Sequence, residues 1–232
     1  MSGAVWSSPN LFGARTIKSW SISGVGVCVG EKSTVEDLIR THHYSKSVVW
    51  ASNLHLLASF ENRVIGALQF GPAMNPQSGS RIVRGSTAAS WLELNRMVFT
   101  ADRPDQSATR AIAGAIRLIR HLRPEVEWIQ SFADERCGKF GAVYQAASFL
   151  YCGEHRATFY ELDGEWFHKS ALNRARVDKR GWGCGPKIER FNRDKHRATA
   201  ISFRQFRYIK CLTKRSLRNL ILPVLDYPKP IL

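Results

Sequence analysis

The chain has 232 residues and a formal net charge of +15, with 34 Lys and Arg against 19 Asp and Glu. Its length suits one large domain, or one domain with an appendage, and its hydrophobic fraction of 44% is enough for a buried core. No run approaches the roughly 18 apolar residues that span a bilayer. The N-terminus lacks a secretory pattern, and the five scattered cysteines form no Cys-x-x-Cys pair, which disfavours membrane, secreted and zinc-finger classes and predicts a reduced cytoplasm.

The positive charge is concentrated in the last quarter of the chain. Residues 1–168 hold 17 Lys and Arg against 15 Asp and Glu, whereas residues 169–232 hold 17 against 4. This imbalance predicts a polyanionic partner, most commonly nucleic acid, with a merely solvated basic tail as the alternative. Aromatic rings that could stack on bases are interleaved with these charges, namely Trp182, Phe191, Phe203, Phe206 and Tyr208.

Hydrophobic periodicity and turn residues predict the elements of the chain. In chain order these are a strand (21–30), a helix (33–44), a hairpin (53–60 and 64–71), a strand (91–99), a helix (107–122), a strand (126–132), a helix (141–151), a hairpin (155–167) and a last strand (206–212). Ser33 and Glu36 have the spacing of a capping box at the start of the first helix. Asp163-Gly164 is a turn sequence for the second hairpin. Arg96 falls in the apolar phase of its strand, which suggests that this side chain has a specific function.

This order predicts an α/β fold, a mixed sheet with helices on both faces. It resembles the GNAT fold of the Gcn5-related acyltransferases in two places. The strand-loop-helix of residues 91–122 corresponds to the segment where that family binds the pyrophosphate of coenzyme A at a helix N-terminus. Residues 141–149 are similar to the family's Ala-x-x-Tyr-x-x-x-Gly-Phe helix, whose tyrosine protonates the leaving thiolate, although Ser148 replaces the glycine. Arg103 and Pro104 stand where the family has a glycine-rich phosphate loop.

Three parts of the chain are distinguished on this basis. We expect a GNAT-like catalytic core over residues 1–168 and a basic nucleic-acid-binding insertion over residues 169–202. Residues 203–232 are expected to supply the last strand and a C-terminal segment that packs on the core. The sequence leaves the oligomeric state open, a homodimer included.

Four motifs resemble the Mom family of phage DNA-modification proteins. They are "HHYSKS" (42–47), "LELNRMV" (92–98), "SFADERCGKFGAVYQAASFLYCGE" (131–154) and "YPKP" (227–230). The resemblance covers essentially the whole chain. It implies a GNAT-like enzyme that converts adenine in double-stranded phage DNA to N6-carbamoylmethyladenine, which blocks host restriction enzymes, and it associates an iron requirement with that activity. Carried onto matching positions, the functional residues are His43, Tyr44, Arg96, Asp134 and Tyr144.

Two residues within the longest motif, Asp134 and Tyr144, could each take part in the chemistry. Asp134 follows a central strand, where ligand crevices form in open α/β sheets, and could accept a proton from an exocyclic amine. The alternatives for Asp134 are an N-cap or a salt bridge with Arg136. Tyr144 at helical spacing could be an ordinary packing aromatic or the acid that protonates the leaving group.

The other family residues also admit structural alternatives. Arg96 could hold a carboxylate, carbonyl or phosphate, or form an ion pair with Glu93 or Asp134. His43 and Tyr44 lie at a helix end, where a histidine could simply be a cap. Adjacent histidines point about 100° apart on a helix, so they are poor co-ligands; His43 together with Asp134 is the remaining candidate for binding iron.

The donor of the transferred group has two candidates, glycyl-tRNA and acetyl-coenzyme A with an iron-dependent step. The target base lies inside a duplex, so we expect it to be flipped into a pocket, with Trp50, Trp91 and Tyr44 as candidate walls. Contacts to the DNA backbone are assigned to Lys179, Arg180, Lys187, Arg190, Arg193 and Lys195, in a turn-rich segment interpreted as a loop. The competing functions are an N-acetyltransferase of proteins or small molecules, and a non-catalytic DNA-binding protein on the same fold.

Overall fold

The computed structural model describes residues 19–138, 140–169, 172 and 186–229. The strands within them are β1 Ser19–Ile22, β2 Val25–Val29, β3 Leu54–Phe60, β4 Arg63–Gly71, β5 Trp91–Phe99, β6 Trp128–Asp134, β7 Leu150–Leu162, β8 Glu165–His168 and β9 Thr199–Cys211. The helices are α1 Lys32–His42, α2 Ser107–Leu122, α3 Ala142–Ala146, α4 Pro186–Asp194 and α5 Lys214–Arg218. No helix of this part of the chain is long and apolar enough to cross a membrane.

The strands form a single mixed sheet in the order β1-β2-β3-β4-β5-β6-β9-β7-β8. Neighbouring strands run antiparallel except β5 and β6, which are parallel. The last strand, β9, is inserted between β6 and β7. The C-terminal segment returns to the same region, where the Tyr227 hydroxyl donates to the Phe149 carbonyl oxygen at 2.8 Å. The predicted boundary at residue 202 falls inside β9.

Helices cover both faces of the sheet because consecutive strand residues point to opposite sides. Leu56 packs in the main core with the apolar side of α2, whereas the next residue, Leu57, packs with Val35 and Ile39 of α1. The predicted α/β fold, a mixed sheet with helices on both faces, is therefore confirmed.

Two predicted elements begin differently in the structure. Residues 21–30 form two strands rather than one, because Ser23 and Gly24 both adopt positive φ and close a tight turn. The first helix begins at Lys32 with Glu31 as its N-cap, and no side-chain hydrogen bond caps it. The predicted capping box at Ser33 is therefore wrong, since Ser33 already lies inside the helix.

The helix predicted over residues 141–151 is reduced to α3. Ser148 adopts φ +57°, and the amide of Phe149 donates back to the Tyr144 carbonyl oxygen at 2.9 Å, which ends the helix. The chain then enters β7 at Leu150. Ser148 thus adopts the left-handed conformation that favours glycine, the residue that the GNAT pattern has at this position.

A β-bulge in β5 changes which residues face α1. Gln69 lies opposite Arg96 and Phe70 lies opposite Leu94, so Asn95 is the extra residue. Leu94 packs on the α2 side, and Val98 packs on α1. Arg96, opposite Gln69, therefore points toward α1 and not into the apolar phase that simple alternation predicts.

Candidate active site

The site lies where the two parallel strands of the sheet separate. β5 and β6 pair only from Trp91 with Trp128 to Glu93 with Gln130, although both strands continue further. Polar side chains line the diverging ends, and Asp134 is the last residue of β6. Such a separation leaves backbone and side-chain groups accessible to a ligand at the carboxyl ends of the strands.

Asp134 is held by a neighbouring arginine and by a distant tyrosine. Its carboxylate accepts hydrogen bonds from the Arg136 backbone amide and guanidinium at 2.5 to 3.1 Å, and one from the Tyr44 hydroxyl at 3.1 Å. Burial opposes ionisation, but the contacts with Arg136 and Tyr44 outweigh it and hold the pKa of Asp134 below its usual value. Asp134 is therefore an ionised carboxylate that is 7% exposed. It also caps the short turn Glu135–Cys137, so both alternatives considered from the sequence describe real contacts.

Tyr44 and His43 follow the C-terminal end of α1. Their rings are 4.3 Å apart, and the His43 Nδ1 lies 2.9 Å from the Ser45 hydroxyl oxygen. His43 is buried, whereas Tyr44 is 57% exposed. His43 therefore supports the ring of Tyr44, whose hydroxyl reaches Asp134.

Arg96 fixes the segment after α1. Its Nε donates to the Ser47 carbonyl oxygen at 2.8 Å and its Nη1 to the Asn95 carbonyl oxygen at 2.7 Å. Among the described residues it has no ion pair within 4.0 Å with Glu93 or Asp134. Burial lowers the pKa of Arg96, and nearby Tyr44, Glu93 and Asp134 act against this. Arg96 is thus a cation beside the cleft whose described hydrogen bonds go to neutral groups.

Tyr144 lies on the opposite face of the sheet, within the main core. It contacts the rings of Phe149 and Tyr208, and its hydroxyl interacts with Ser131 of β6. Burial raises its pKa, so the hydroxyl stays protonated at neutral pH and could act as an acid. Gly141 at φ +83° starts α3, and a Cβ there would collide with the Tyr208 ring, which fixes how α3 approaches the sheet.

A second carboxylate in the cleft was not assigned a role from the sequence. Glu93 accepts hydrogen bonds from Asn95 Nδ2 at 3.2 Å and Gln130 Nε2 at 3.1 Å. Burial raises the pKa of Glu93, only partly offset by these amides. Among the described residues, Gln130 Oε1 and, from β9, Gln205 Nε2 and Arg207 Nε are buried without a hydrogen-bond partner. The pairing of β5 with β6 places Glu93 opposite Gln130, and the pairing of β6 with β9 adds Gln205 and Arg207; the sequence reveals neither pairing.

The aromatic residues predicted to stack on bases have different environments. Trp91 is buried against Trp128 with ring centroids 4.5 Å apart, so it belongs to the core and not to a base pocket. Phe191, Phe206 and Tyr208 are also buried, and Trp182 lies outside the described residues. Trp50 is 75% exposed, and Phe203 is partly exposed on β9.

The basic residues assigned to DNA are partly engaged with acidic neighbours. Arg190 pairs with Asp163 at 3.1 Å and with Glu165 at 3.5 Å, and Arg193 pairs with Asp194 at 3.5 Å. Lys195 begins a short turn after α4. Lys179 and Arg180 lie outside the described residues, as does the side chain of Lys187. Residues 186–194 form a helix, so interpreting this segment as a loop was wrong there.

The described residues do not form an iron site around His43. No group of three or more His, Cys, Asp or Glu side chains in this part of the chain is placed to hold a metal ion. The His43 Nδ1 interacts with Ser45, and Asp134 is occupied by Arg136 and Tyr44. The donor set expected for iron is therefore not met there.

Comparison with known proteins gives the family. The Mom protein family model matches residues 27–229. The chain belongs to the Mom protein family. It is 45% identical over 195 residues to the methylcarbamoylase Mom of Escherichia phage Mu. The matched region covers 83% of this chain and 78% of that protein. The family resemblance predicted from the sequence is confirmed.

Solved acetyltransferases are similar in fold at low identity. The ribosomal-protein-S5-alanine acetyltransferase of Vibrio fischeri is 11% identical, with a TM-score of 0.49, over 84% of this chain and 97% of that one. A spermidine/spermine N-acetyltransferase of Vibrio cholerae has the same coverage and TM-score at 10% identity. A GNAT family acetyltransferase of Elizabethkingia anophelis is 9% identical, with a TM-score of 0.46, over 82% of this chain and 99% of that one.

In this member of the Mom family the site combines groups of complementary chemistry. On the α1 side of the sheet Asp134 is an ionised acceptor and Arg96 is a cation, and on the other side Tyr144 is a protonated phenol whose hydroxyl lies at Ser131 of β6 and near Glu93. Glu93 adds a carboxyl group that takes up a proton more readily than usual. Such a set can bind an amine, stabilise a developing oxyanion and protonate a leaving group.

Proposed function

We propose that the chain is a DNA-modifying transferase that converts adenine in double-stranded DNA to N6-carbamoylmethyladenine and so protects phage DNA from host restriction enzymes in the host cytoplasm. One observation carries the proposal. In a chain 45% identical to a protein named methylcarbamoylase, Tyr44 and Asp134 meet at the open ends of the parallel strands.

We propose that Asp134 accepts the proton that the adenine 6-amino group loses in the reaction. That nitrogen becomes acidic only once it has attacked an acyl carbonyl, so a carboxylate with a low pKa can take its proton at that stage. Arg96 lies near the cleft as a cation for the developing oxyanion. Tyr144 protonates the leaving oxygen or sulfur, while Tyr44 and His43 position Asp134.

The donor is proposed to carry an activated glycyl group, as glycyl-tRNA does. The adenine nitrogen attacks the glycyl carbonyl, and the donor's hydroxyl leaves. The free glycyl amine then attacks ring carbon six and closes a five-membered spiro ring. When the bond from ring carbon six to the original nitrogen breaks, that nitrogen becomes the terminal amide. No step of this route needs an oxidant. The glycyl amine and ring carbon six are held in one cleft, so the ring closure is effectively intramolecular.

Acetyl-coenzyme A is the competing donor. Acetyl transfer alone gives an N6-acetyl group, so this route needs a further step that installs nitrogen. The loop before α2 has Arg103 and Pro104 in place of a glycine-rich cradle, and Asp102 beside them pairs with Arg63 at 3.0 Å. The basic last quarter of the chain also suits a donor that is itself a nucleic acid.

Mass analysis of nucleosides from the DNA of expressing cells tests the proposal. We expect carbamoylmethyl-deoxyadenosine with the wild-type chain and its loss with Asp134→Asn. Unchanged DNA together with an acetylated protein or small molecule would support an acetyltransferase instead. With the purified chain, glycine labelled at nitrogen should place its label on the nitrogen bonded to ring carbon six, and label in the terminal amide would exclude the rearrangement.

A further inference from the structure

Four aromatic rings surround the guanidinium of Arg136 beside the proposed catalytic carboxylate. Its Cζ lies 3.5 Å from the centroid of Phe159, 5.7 Å from Tyr44, 5.8 Å from Trp166 and 6.0 Å from Phe203. The rings come from β7, β8, β9 and the segment after α1. We call these four residues the aromatic box.

The aromatic box differs from the packed aromatic core. The Trp91–Trp128 pair is fully buried and encloses no charge, whereas Trp166 is 39% exposed and Tyr44 is 57% exposed. Other cations of the described residues each contact a single ring at 5.1 Å or more. A partly exposed group of rings around a planar cation has the chemistry of a stacking site.

The guanidinium imitates a nucleobase in two respects. It is a flat π-system lying over the ring of Phe159, in the position that a stacked base would take. Its N–H groups donate hydrogen bonds to the Asp134 carboxylate, as the exocyclic amino group of a stacked base would. A base on Phe159 with its amino group toward Asp134 would replace both contacts.

We propose that the aromatic box is the pocket for the flipped target base and that Arg136 occupies it in the free protein. The inference rests on the proposed function, since it takes the adenine of duplex DNA as the substrate. The carboxylate at the end of the box selects the base. When the major-groove edge of the base faces Asp134, adenine and cytosine present an amino donor to it, whereas guanine and thymine present a carbonyl oxygen that the carboxylate would repel. Entry of the base also moves Arg136 away from Asp134, which makes that carboxylate a stronger proton acceptor in the complex.

Binding to duplexes that carry one extrahelical nucleotide tests the pocket without any donor. The probes are a duplex with an extrahelical adenine, the same duplex with an abasic site, and the same duplex with hypoxanthine, which carries a carbonyl oxygen in place of the amino group. We expect wild type to prefer adenine over the abasic site by about tenfold or more, the effect of one stacked base. It should also bind adenine more tightly than hypoxanthine.

Trp166→Ala should bring the ratio of adenine to abasic affinity close to one while leaving affinity for the abasic duplex unchanged. Trp20→Ala is the matched control, because it removes the same side chain from β1, where Trp20 lies beside Arg117 of α2 and away from the box, and it should keep the wild-type ratio. Phe203→Ala provides a second test from another strand should Trp166→Ala lower the melting temperature.

The possible outcomes separate the pocket from the reaction. A wild-type ratio near one, or a ratio that both box variants retain, overturns the pocket. If DNA in cells is unmodified yet the ratio depends on Trp166, the pocket stands and the proposed reaction fails. If DNA is modified but the ratio does not depend on the box, the reaction stands and the base binds elsewhere.

Discussion

The hydroxyl of Tyr44 donates a hydrogen bond to the Asp134 carboxylate at 3.1 Å and joins the end of α1 to the end of β6. Ninety positions separate these residues along the chain. The contact places the segment after α1 over the open end of the parallel strands, where Arg96 also binds it through the Ser47 carbonyl oxygen. Two separate contacts thus hold Tyr44 and His43 beside Asp134.

Replacing Asp134 by Asn should abolish most of the modification. The amide keeps the shape of the side chain but cannot take a proton, so we expect the rate to fall by about two to four orders of magnitude, the usual contribution of a general base. Affinity for duplex DNA should change little. Quantifying modified nucleoside against time at saturating DNA measures the effect.

The adjacent carboxylate provides the control. Glu135 accepts hydrogen bonds from the Arg204 backbone amide and Nε at 2.7 and 2.8 Å, away from Tyr44. Glu135→Gln should therefore retain the wild-type rate. A folded Asp134→Asn protein with full activity would rule out Asp134 as the base.

Arg136→Ala should move the acid limb of the pH profile to higher pH. In the wild type the contacts with Arg136 outweigh burial and hold the pKa of Asp134 below normal, so the carboxylate is ionised throughout the neutral range. Without the guanidinium, burial remains and raises this pKa. The variant should then lose activity at mildly acidic pH, where wild type keeps it. The measurement is kcat/KM against pH, which reports the free enzyme, and an unmoved limb would show that Asp134 does not control it.

The contrast between α2 and the cleft shows what could be predicted from the sequence. The bounds of α2 were predicted correctly at both ends, and so was the turn at Asp163-Gly164, because helical periodicity and turn chemistry are local. The bulge at Asn95 is a feature of strand pairing, so the orientation of Arg96 could not be deduced from alternation. The aromatic box and the Glu93–Gln130 contact depend on which strands become neighbours, and β9 reaches its place from the far end of the chain.

The local motif around Asp134 was informative for a different reason. Arg136 is two residues away, so an ion pair with Asp134 could be considered from the sequence alone, and the structure contains it. The rings around Arg136 belong to segments that lie 23 or more positions further along the chain, or before α2, and carry no motif of their own.

Replacing Tyr144 by Phe should distinguish the proposed acid role of its hydroxyl from the packing role of its ring. The ring contacts with Phe149 and Tyr208 persist, so the melting temperature should stay close to that of wild type. Loss of the hydroxyl removes the proposed acid, and we expect modification to slow by about a hundredfold or more. Tyr151→Phe is the control, because its hydroxyl points to Glu154 of the same strand, β7, 3.4 Å away. Equal rates for both variants would leave Tyr144 as a packing residue.

Replacing Arg190, Arg193 and Lys195 by Ala should weaken binding to all duplex sequences alike. Each lost phosphate contact reduces the slope of log affinity against log salt by about 0.9, so we expect the slope to become shallower by about 2. Arg190 should contribute least, because Asp163 and Glu165 already neutralise it. Arg117→Ala on α2 is the control, since its exposed guanidinium lies on the other side of the sheet and contacts the Trp20 ring. Salt titrations of duplex binding with two unrelated sequences measure the slopes. A slope equal to that of wild type, or a loss confined to one sequence, would show that these three side chains do not contact backbone phosphates.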